Sequence, residues 1–302
     1  MYRRMDILVT GGTGFVGSRL CAELADRGHD VTALSRTPDD GHLSESVART
    51  VGDVTAFESI VDAFAGVEAV VNLVSLSPLF KPSGGDAMHR RVHVDGTRNV
   101  VRAAERNGVR KVVQMSGLGA DPDAPTAFLR AKGDAERIVR EADLARTIFR
   151  PSVVFGDGAE FVPFTKLLTT PYVAGLPSGG STRFQPIWIE DVVPMLADCV
   201  EPAHDGETYE IGGPEVLTLA DVTRLVYRAS GTPVRIVPVP MPLAHLGLAL
   251  ADPLPFVPLG MDQYRALGVD NTVTHNDVDA FGVETSDLRT FADYLGLSGQ
   301  KL

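Results

Sequence analysis

Gly11, Gly14 and Gly17 form the clearest chemical signal in the chain. They follow an apolar run, Asp6-Ile7-Leu8-Val9-Thr10, and precede an amphipathic run from about Ser18 to Arg27. Between a strand and a helix, the first glycine of such a series permits a tight turn. The second lets backbone N–H groups approach a pyrophosphate, and the third lets helix and strand pack closely. The helix N-terminus adds a partial positive charge. Gly11, Thr13, Gly14, Phe15, Val16 and Gly17 are therefore expected cofactor-binding residues.

The end of the next strand distinguishes one dinucleotide from another. An Asp or Glu about 20 residues beyond the loop would hold a ribose 2′-OH. Ser35-Arg36 stands there instead, and a guanidinium pairs bidentately with a 2′-phosphate. Asp39 and Asp40 come slightly later, in a proline-containing turn. NADP(H) is the expected cofactor, with NAD(H) the less favoured choice. Gly52-Asp53-Val54 suits an adenine edge, since a carboxylate accepts from the exocyclic amine. The competing role for Asp53 is to cap a helix starting near Ala56.

These residues need a scaffold, and the first half of the chain supplies one. Apolar runs at Val31–Ser35, Val51–Asp53, Ala69–Val74, Lys111–Ser116 and Ala145–Arg150 read as strands. Helices are expected over Ala56–Phe64, Asp86–Asn107 and Thr126–Ala142. Apolar strands alternating with helices predict an α/β fold with a doubly wound parallel Rossmann sheet. After Pro151 proline and glycine become frequent. Only Ile189–Val200, as helix, and Glu207–Ile211, as strand, look like further pieces of the sheet domain. The expected organisation is a cofactor domain over 1–156 with returning segments near 184–212. A smaller interleaved substrate domain then covers 157–183 and 213–302.

Composition narrows the partners. The 302 residues carry 39 acids against 28 bases, a net charge of −11, which argues against non-specific nucleic-acid binding. Five Lys stand against 23 Arg, and 25 Asp against 14 Glu; a GC-rich genome and a salt-adapted surface both give that bias. Cys21 and Cys199 lie in apolar helical patterns, so neither a disulfide framework nor a metal site is expected. No signal-peptide core follows Met1-Tyr2-Arg3-Arg4, which predicts a cytoplasmic protein. No uninterrupted apolar run is long enough to span a membrane.

With these motifs placed, the chain resembles an atypical, extended short-chain dehydrogenase/reductase over nearly all its length. The likeness rests on Thr10-Gly-Gly-Thr-Gly-Phe-Val-Gly17, Gly52-Asp53-Val54, Val71-Asn72-Leu73-Val74, Val92-His93-Val94-Asp95-Gly96-Thr97-Arg98-Asn99, Met115-Ser116-Gly117-Leu118-Gly119-Ala120-Asp121 and Phe149-Arg150-Pro151-Ser152-Val153-Val154. Within that group it is most similar to the complex I 39/40 kDa subunit family, through Gln185-Pro186-Ile187-Trp188-Ile189-Glu190-Asp191, Tyr209-Glu210-Ile211-Gly212-Gly213-Pro214 and Asp270-Asn271-Thr272-Val273. The resemblance implies a tightly held NADP(H), with Leu73, Ser116, Lys132, Pro151, Val153 and Val154 joining the glycine loop, Arg36, Asp53 and Val54 as its contacts. It also implies peripheral membrane or respiratory-complex association. Separately, the proline- and leucine-rich segment from Ile236 to Gly260 suits an unknown, apolar small molecule as a further ligand.

Members that catalyse carry Ser or Thr at a strand end and Tyr-x-x-x-Lys on the next helix, so that the lysine lowers the phenol pKa. Ser116 and Lys132 are present here, but the tyrosine position is Phe128, which has no proton to give. The expected function is a cofactor-holding, redox-sensing or respiratory and quinone-linked assembly protein. The alternative is a reductase or nucleotide-sugar epimerase or dehydratase using another acid, drawn from Asp121, Asp123, Glu160 and His93. For His93 a satisfied helix histidine is the preferred role. Trp188 suits either a pocket wall or a domain-junction core. Arg150 and Arg183 suit an anionic substrate or, more commonly, salt bridges. Met241–Ala251, apolar on nearly every face, is expected to be a buried helix rather than a membrane or partner surface.

Overall fold

A strand that is apolar on both faces is stable only in a sheet covered from both sides. The computed structural model, which describes residues 3–37, 43–245 and 259–297, shows that arrangement. The strands are β1 (Asp6–Thr10), β2 (Asp30–Ser35), β3 (Ala48–Val51), β4 (Ala69–Asn72), β5 (Lys111–Met115) and β6 (Ala145–Pro151). The two-residue strands β7 (Val154–Phe155), β9 (Arg183–Phe184) and β10 (Ile187–Trp188) and the six-residue β8 (Tyr172–Pro177) lie outside this sheet. Then β11 (Thr208–Ile211) returns to give the order β11-β6-β5-β4-β1-β2-β3. Strand β1 pairs in parallel with β2 on one side and β4 on the other. The direction of winding therefore reverses at β1, the point where such sheets bind ligands beyond the strand carboxyl ends. This is the doubly wound sheet that the alternating pattern predicts.

The chain divides into two compact units. The first comprises Met1–Leu76, Asp86–Arg150 and Val192–Tyr209. Helices α1 (Phe15–Asp26), α2 (Ala87–His89), α3 (Gly96–Asn107) and α4 (Ala127–Glu141) belong to it. Its core packs Leu8, Val70 and Val112 from the sheet against Val100, Ala104 and Val139 from the helices. Between α2 and α3 the backbone runs as a π-helix, Arg90–Asp95, so the predicted helix over Asp86–Asn107 is continuous but locally underwound. The helix expected over Ala56–Phe64 is instead two 3₁₀ turns, Phe57–Ser59 and Val61–Phe64. The reason is local competition. The Asp53 carboxylate accepts from Thr55 N–H, and the Ser59 hydroxyl bonds to the Asp53 and Ala56 carbonyls in place of an α-helical ladder.

The second unit comprises Ser77–Gly85, Pro151–Asp191 and Glu210–Leu302. It contains α5 (Phe161–Leu168), and α6 (Ile189–Asp198) begins in it. Strand β12 (Leu217–Thr218) leads into α7 (Leu219–Ala229), which is followed by β13 (Val234–Val239). Its core joins Phe155, Phe161, Val222, Leu225 and Phe291. Trp188 packs on the edge of that cluster, with the Arg289 guanidinium 4.4 Å from its ring centroid. Of the expected apolar helix, residues 241–245 are helical and Leu243 is 61% exposed rather than buried. The remainder of that prediction, including Leu246, lies outside the described residues.

Candidate functional site

At the carboxyl end of β1 the chain must turn at once into α1. Gly11 does so at φ 74°, a left-handed conformation that side chains disfavour. Its N–H donates to the Leu34 carbonyl of β2. Gly17, in the first turn of α1, sits so close to this loop that an added Cβ would stand 2.2 Å from the Gly11 carbonyl oxygen. Helix α1 has Gly14 as its N-cap, no side-chain cap, and no acidic residue in its first turn. The first-turn N–H groups and the helix dipole are thus left for an anion. Arg36 and Thr37 follow β2 as exposed residues, with no acid among Ser35, Arg36 and Thr37. Asp53 Oδ1 accepts from Thr55 N–H in a local turn, and the 3₁₀ turn that follows has Ala56 as its N-cap with no side-chain cap, so Asp53 does not take the helix-capping role offered as its alternative.

Beyond the loop lies a polar layer that the strand pattern does not announce. Thr10, Asn72 and Gln114 are in register across β1, β4 and β5. The Thr10 hydroxyl donates to Asn72 Oδ1 at 2.6 Å, and Asn72 Nδ2 donates to Gln114 Oε1 at 2.8 Å and to Thr97 Oγ1 at 3.2 Å. All four side chains are buried. The only sign of the layer in the sequence is a polar residue at or next to the end of each of three apolar strands. Leu73, the next residue, is buried and bonds through its N–H to the Thr10 carbonyl.

Strand β5 delivers Ser116, and α4, capped by the Thr126 hydroxyl on Leu129 N–H, delivers Phe128 and Lys132 one turn apart. The Ser116 hydroxyl is buried and has no hydrogen-bond partner among the described residues. Lys132 is buried, its Nζ donates to the Met115 carbonyl at 3.0 Å, and it stands 5.7 Å from the Phe128 ring centroid. Burial pushes its pKa down to about 8, against a smaller opposing pull from Glu136. The Phe128 ring is also edge-on to His89 and His93, at 5.7 and 5.4 Å, and those two imidazoles stack on each other. His93 Nε2 accepts from Leu76 N–H at 3.4 Å, which leaves the proton on Nδ1. Burial, reinforced by Lys132 and His89, holds its pKa well below the usual value, so the ring is neutral.

Two of the other proposed acids accept hydrogen bonds elsewhere. Asp121 is exposed and accepts from Asp123 N–H. Glu160 receives the Ser77 hydroxyl. Arg150 forms a two-pronged pair with Glu136, and Arg183 does the same with Asp270, so both arginines make salt bridges. Pro151, Val153 and Val154 fall in the second unit. There Val153 N–H donates to Asn271 Oδ1, and Val154 pairs with Ile187. Among the described residues no group of three His, Cys, Asp or Glu is placed to hold a metal, and both cysteines are free and buried. No helix among them is long and apolar enough to cross a membrane.

A tight glycine cradle, an uncapped helix N-terminus and an orphaned buried hydroxyl fit a dinucleotide. Comparison with known proteins agrees. Residues 11–165 match the NAD(P)H-binding family. The mitochondrial NADH dehydrogenase [ubiquinone] 1 alpha subcomplex subunit 9 of Arabidopsis thaliana is 30% identical over 89% of this chain and 71% of its own length. The 2-alkyl-3-oxoalkanoate reductase of Stenotrophomonas maltophilia is 28% identical over 76% and 77%. Among solved structures, a nucleoside-diphosphate-sugar epimerase from Staphylococcus aureus superposes with a TM-score of 0.72 at 20% identity, covering 96% of this chain and 99% of that one. The UDP-glucose 4-epimerase of Thermus thermophilus, in complex with NAD, gives 0.66 at 20% identity over 87% and 97%. Loop, sheet order and relatives converge: the chain belongs to the NAD(P)H-binding family, in its atypical short-chain dehydrogenase/reductase branch.

Proposed function

We propose that this protein holds NADP(H) as part of a respiratory or quinone-linked assembly and has little or no turnover of the tyrosine-dependent kind. The observation that carries this reading is Phe128, in the place of the phenol, beside an intact Ser116 and Lys132. A bound dinucleotide supplies a hydride. The glycine loop and the α1 N-terminus bind its pyrophosphate, and the Arg36 guanidinium binds the 2′-phosphate. Asp53, through the oxygen not used on Thr55, and Val54 meet the adenine, while Lys132 donates to ribose hydroxyls. No side chain at position 128 moves a proton. Similarity to a complex I subunit supports the assembly role, and Arg36 supports the phosphorylated cofactor.

A second reading is a reductase or epimerase-like enzyme with a different acid. The buried, partnerless Ser116 hydroxyl favours it, as does similarity to a reductase. Turnover decides between the two. NADPH oxidation with carbonyl and quinone acceptors is expected near background, and Phe128→Tyr is expected to raise it for carbonyls. Robust turnover by the unmodified protein, insensitive to Ser116→Ala and Lys132→Ala, overturns the first reading.

A further inference from the structure

Three hydrogen-bond donors of the first unit gather at Phe128, and the protein fully uses none of them. The Ser116 hydroxyl is buried and has no partner among the described residues. His93 is buried too. Leu76 N–H occupies its Nε2, and no described residue accepts from its Nδ1–H. Lys132 is buried, and its ammonium gives one of three N–H bonds to the Met115 carbonyl. That carbonyl belongs to the peptide joining Met115 to Ser116, so the ammonium lies against the residue that carries the hydroxyl. The Phe128 ring centroid is 5.4 Å from the His93 ring and 5.7 Å from Lys132 Nζ. A Cβ added at Gly117, the residue after Ser116, would stand 3.8 Å from the same ring. The π-helical turn Arg90–Asp95, a kind of irregularity frequent at functional sites, supplies His93.

The charge of this cluster is unbalanced. Glu136, one turn beyond Lys132 on α4, is fully buried, but Arg150 holds it at 2.7 and 2.8 Å and Arg140 at 2.9 Å. Lys132 forms no ion pair with a described residue. His93 stays neutral beside it, because burial and the ammonium both disfavour a second cation. The three donors therefore carry one positive charge between them, with no acid of the chain set against it.

We propose that Ser116, Lys132 and His93 form a binding site for a small carboxylate carried on an apolar body. Buried donors without acceptors are costly, and a ligand that satisfies all three removes that cost. A site made of donors alone, with one cation, fits a monoanion rich in acceptors. A carboxylate offers two oxygens with about four lone-pair sites. These serve the Ser116 hydroxyl, the His93 Nδ1–H and one N–H of Lys132, which leaves the third N–H of the ammonium for a ribose. A dianion such as phosphate would bring a second negative charge into a buried place with no partner for it. The Phe128 ring, lacking a hydroxyl, supplies an apolar wall for the body of the ligand. The inference goes beyond the nucleotide reading and does not rest on it, since all three donors belong to the chain.

The test is calorimetric titration of the full-length, nucleotide-free protein with benzoate, and with benzamide as its uncharged counterpart. Benzoate is expected to bind at least about tenfold more tightly than benzamide. Lys132→Met is expected to weaken benzoate by more than about tenfold, and Ser116→Ala and His93→Phe by about tenfold each. These positions are buried, so a second readout uses the unmodified protein. In nitrogen-15 spectra of the histidine rings, benzoate is expected to shift the His93 Nδ1 signal and benzamide to leave it in place. Absence of benzoate binding, or equal binding of benzoate and benzamide, overturns the proposal. So does benzoate binding that leaves the His93 signal unmoved, because the anion then sits elsewhere, as at the phosphate site where α1 begins. Titration of the same protein with NADPH tests the nucleotide reading separately, and its failure beside intact benzoate binding would overturn that reading alone.

Discussion

Lys132 shows how burial sets the chemistry of a single group. Its ammonium is held at about 8 rather than 10.5, so the folded protein binds fewer protons than the unfolded chain between those values. Stability from this group therefore rises as pH increases from about 8, by at most about 1.4 kcal/mol per pH unit. The window from pH 8 to 9 is the cleanest, because Cys21 and Cys199, raised by burial, oppose the trend at higher pH. In urea titrations of the nucleotide-free protein, the stability difference between the unmodified chain and Lys132→Met is expected to move by about 1 kcal/mol across that window in favour of the unmodified chain. A difference constant with pH contradicts the assigned shift. The presence of Lys132 and the loss of the tyrosine were both legible in the sequence. The packing of Phe128 against His89 and His93 was not, because it depends on a π-helical turn that has no residue signature.

At the scale of elements, the glycine loop works through distance. An added methyl at Gly17 would meet backbone atoms of Gly11 and Gly12, which cannot rotate away. Gly17→Ala is expected to cost about 1–3 kcal/mol in urea unfolding, as overpacking does, and to weaken NADPH binding in parallel. A neutral substitution would mean that α1 and the loop are further apart than described. The amide layer is a second element-scale device. Asn72→Leu removes a partner from Thr10 and Gln114 at once, and leaving buried polar groups unsatisfied is expected to cost about 1–3 kcal/mol each. Thermal unfolding measures it. The sheet was readable because its central strands β1, β4 and β5 are largely apolar and buried, and α3 and α4 are amphipathic. The second unit was less so. Its α7 has a reciprocal cap, the Thr218 hydroxyl on Asp221 N–H and the Asp221 carboxylate on Thr218 N–H, whose Thr-x-x-Asp signature could have located it. The β8–β13 pair joins segments far apart in sequence and rich in proline and glycine, so no local period reveals it.

For the whole molecule, charge and cofactor are the governing quantities. At −11 the chain repels itself, and screening relieves that repulsion. Raising sodium chloride from low to molar concentration is expected to raise the melting temperature; a fall would show that attractive pairs such as Arg27 with Asp198 dominate. The central claim is that the loop after β1 and the arginine after β2 hold a phosphorylated dinucleotide. Its most direct test is calorimetric titration of the purified protein with NADPH and with NADH, repeated on Arg36→Ala. The account predicts NADPH binding at least about tenfold tighter, since a paired phosphate contributes about 1.5–3 kcal/mol, and near-equal affinities once Arg36 is removed. Equal affinities in the unmodified protein, or a preference that survives Arg36→Ala, would contradict it.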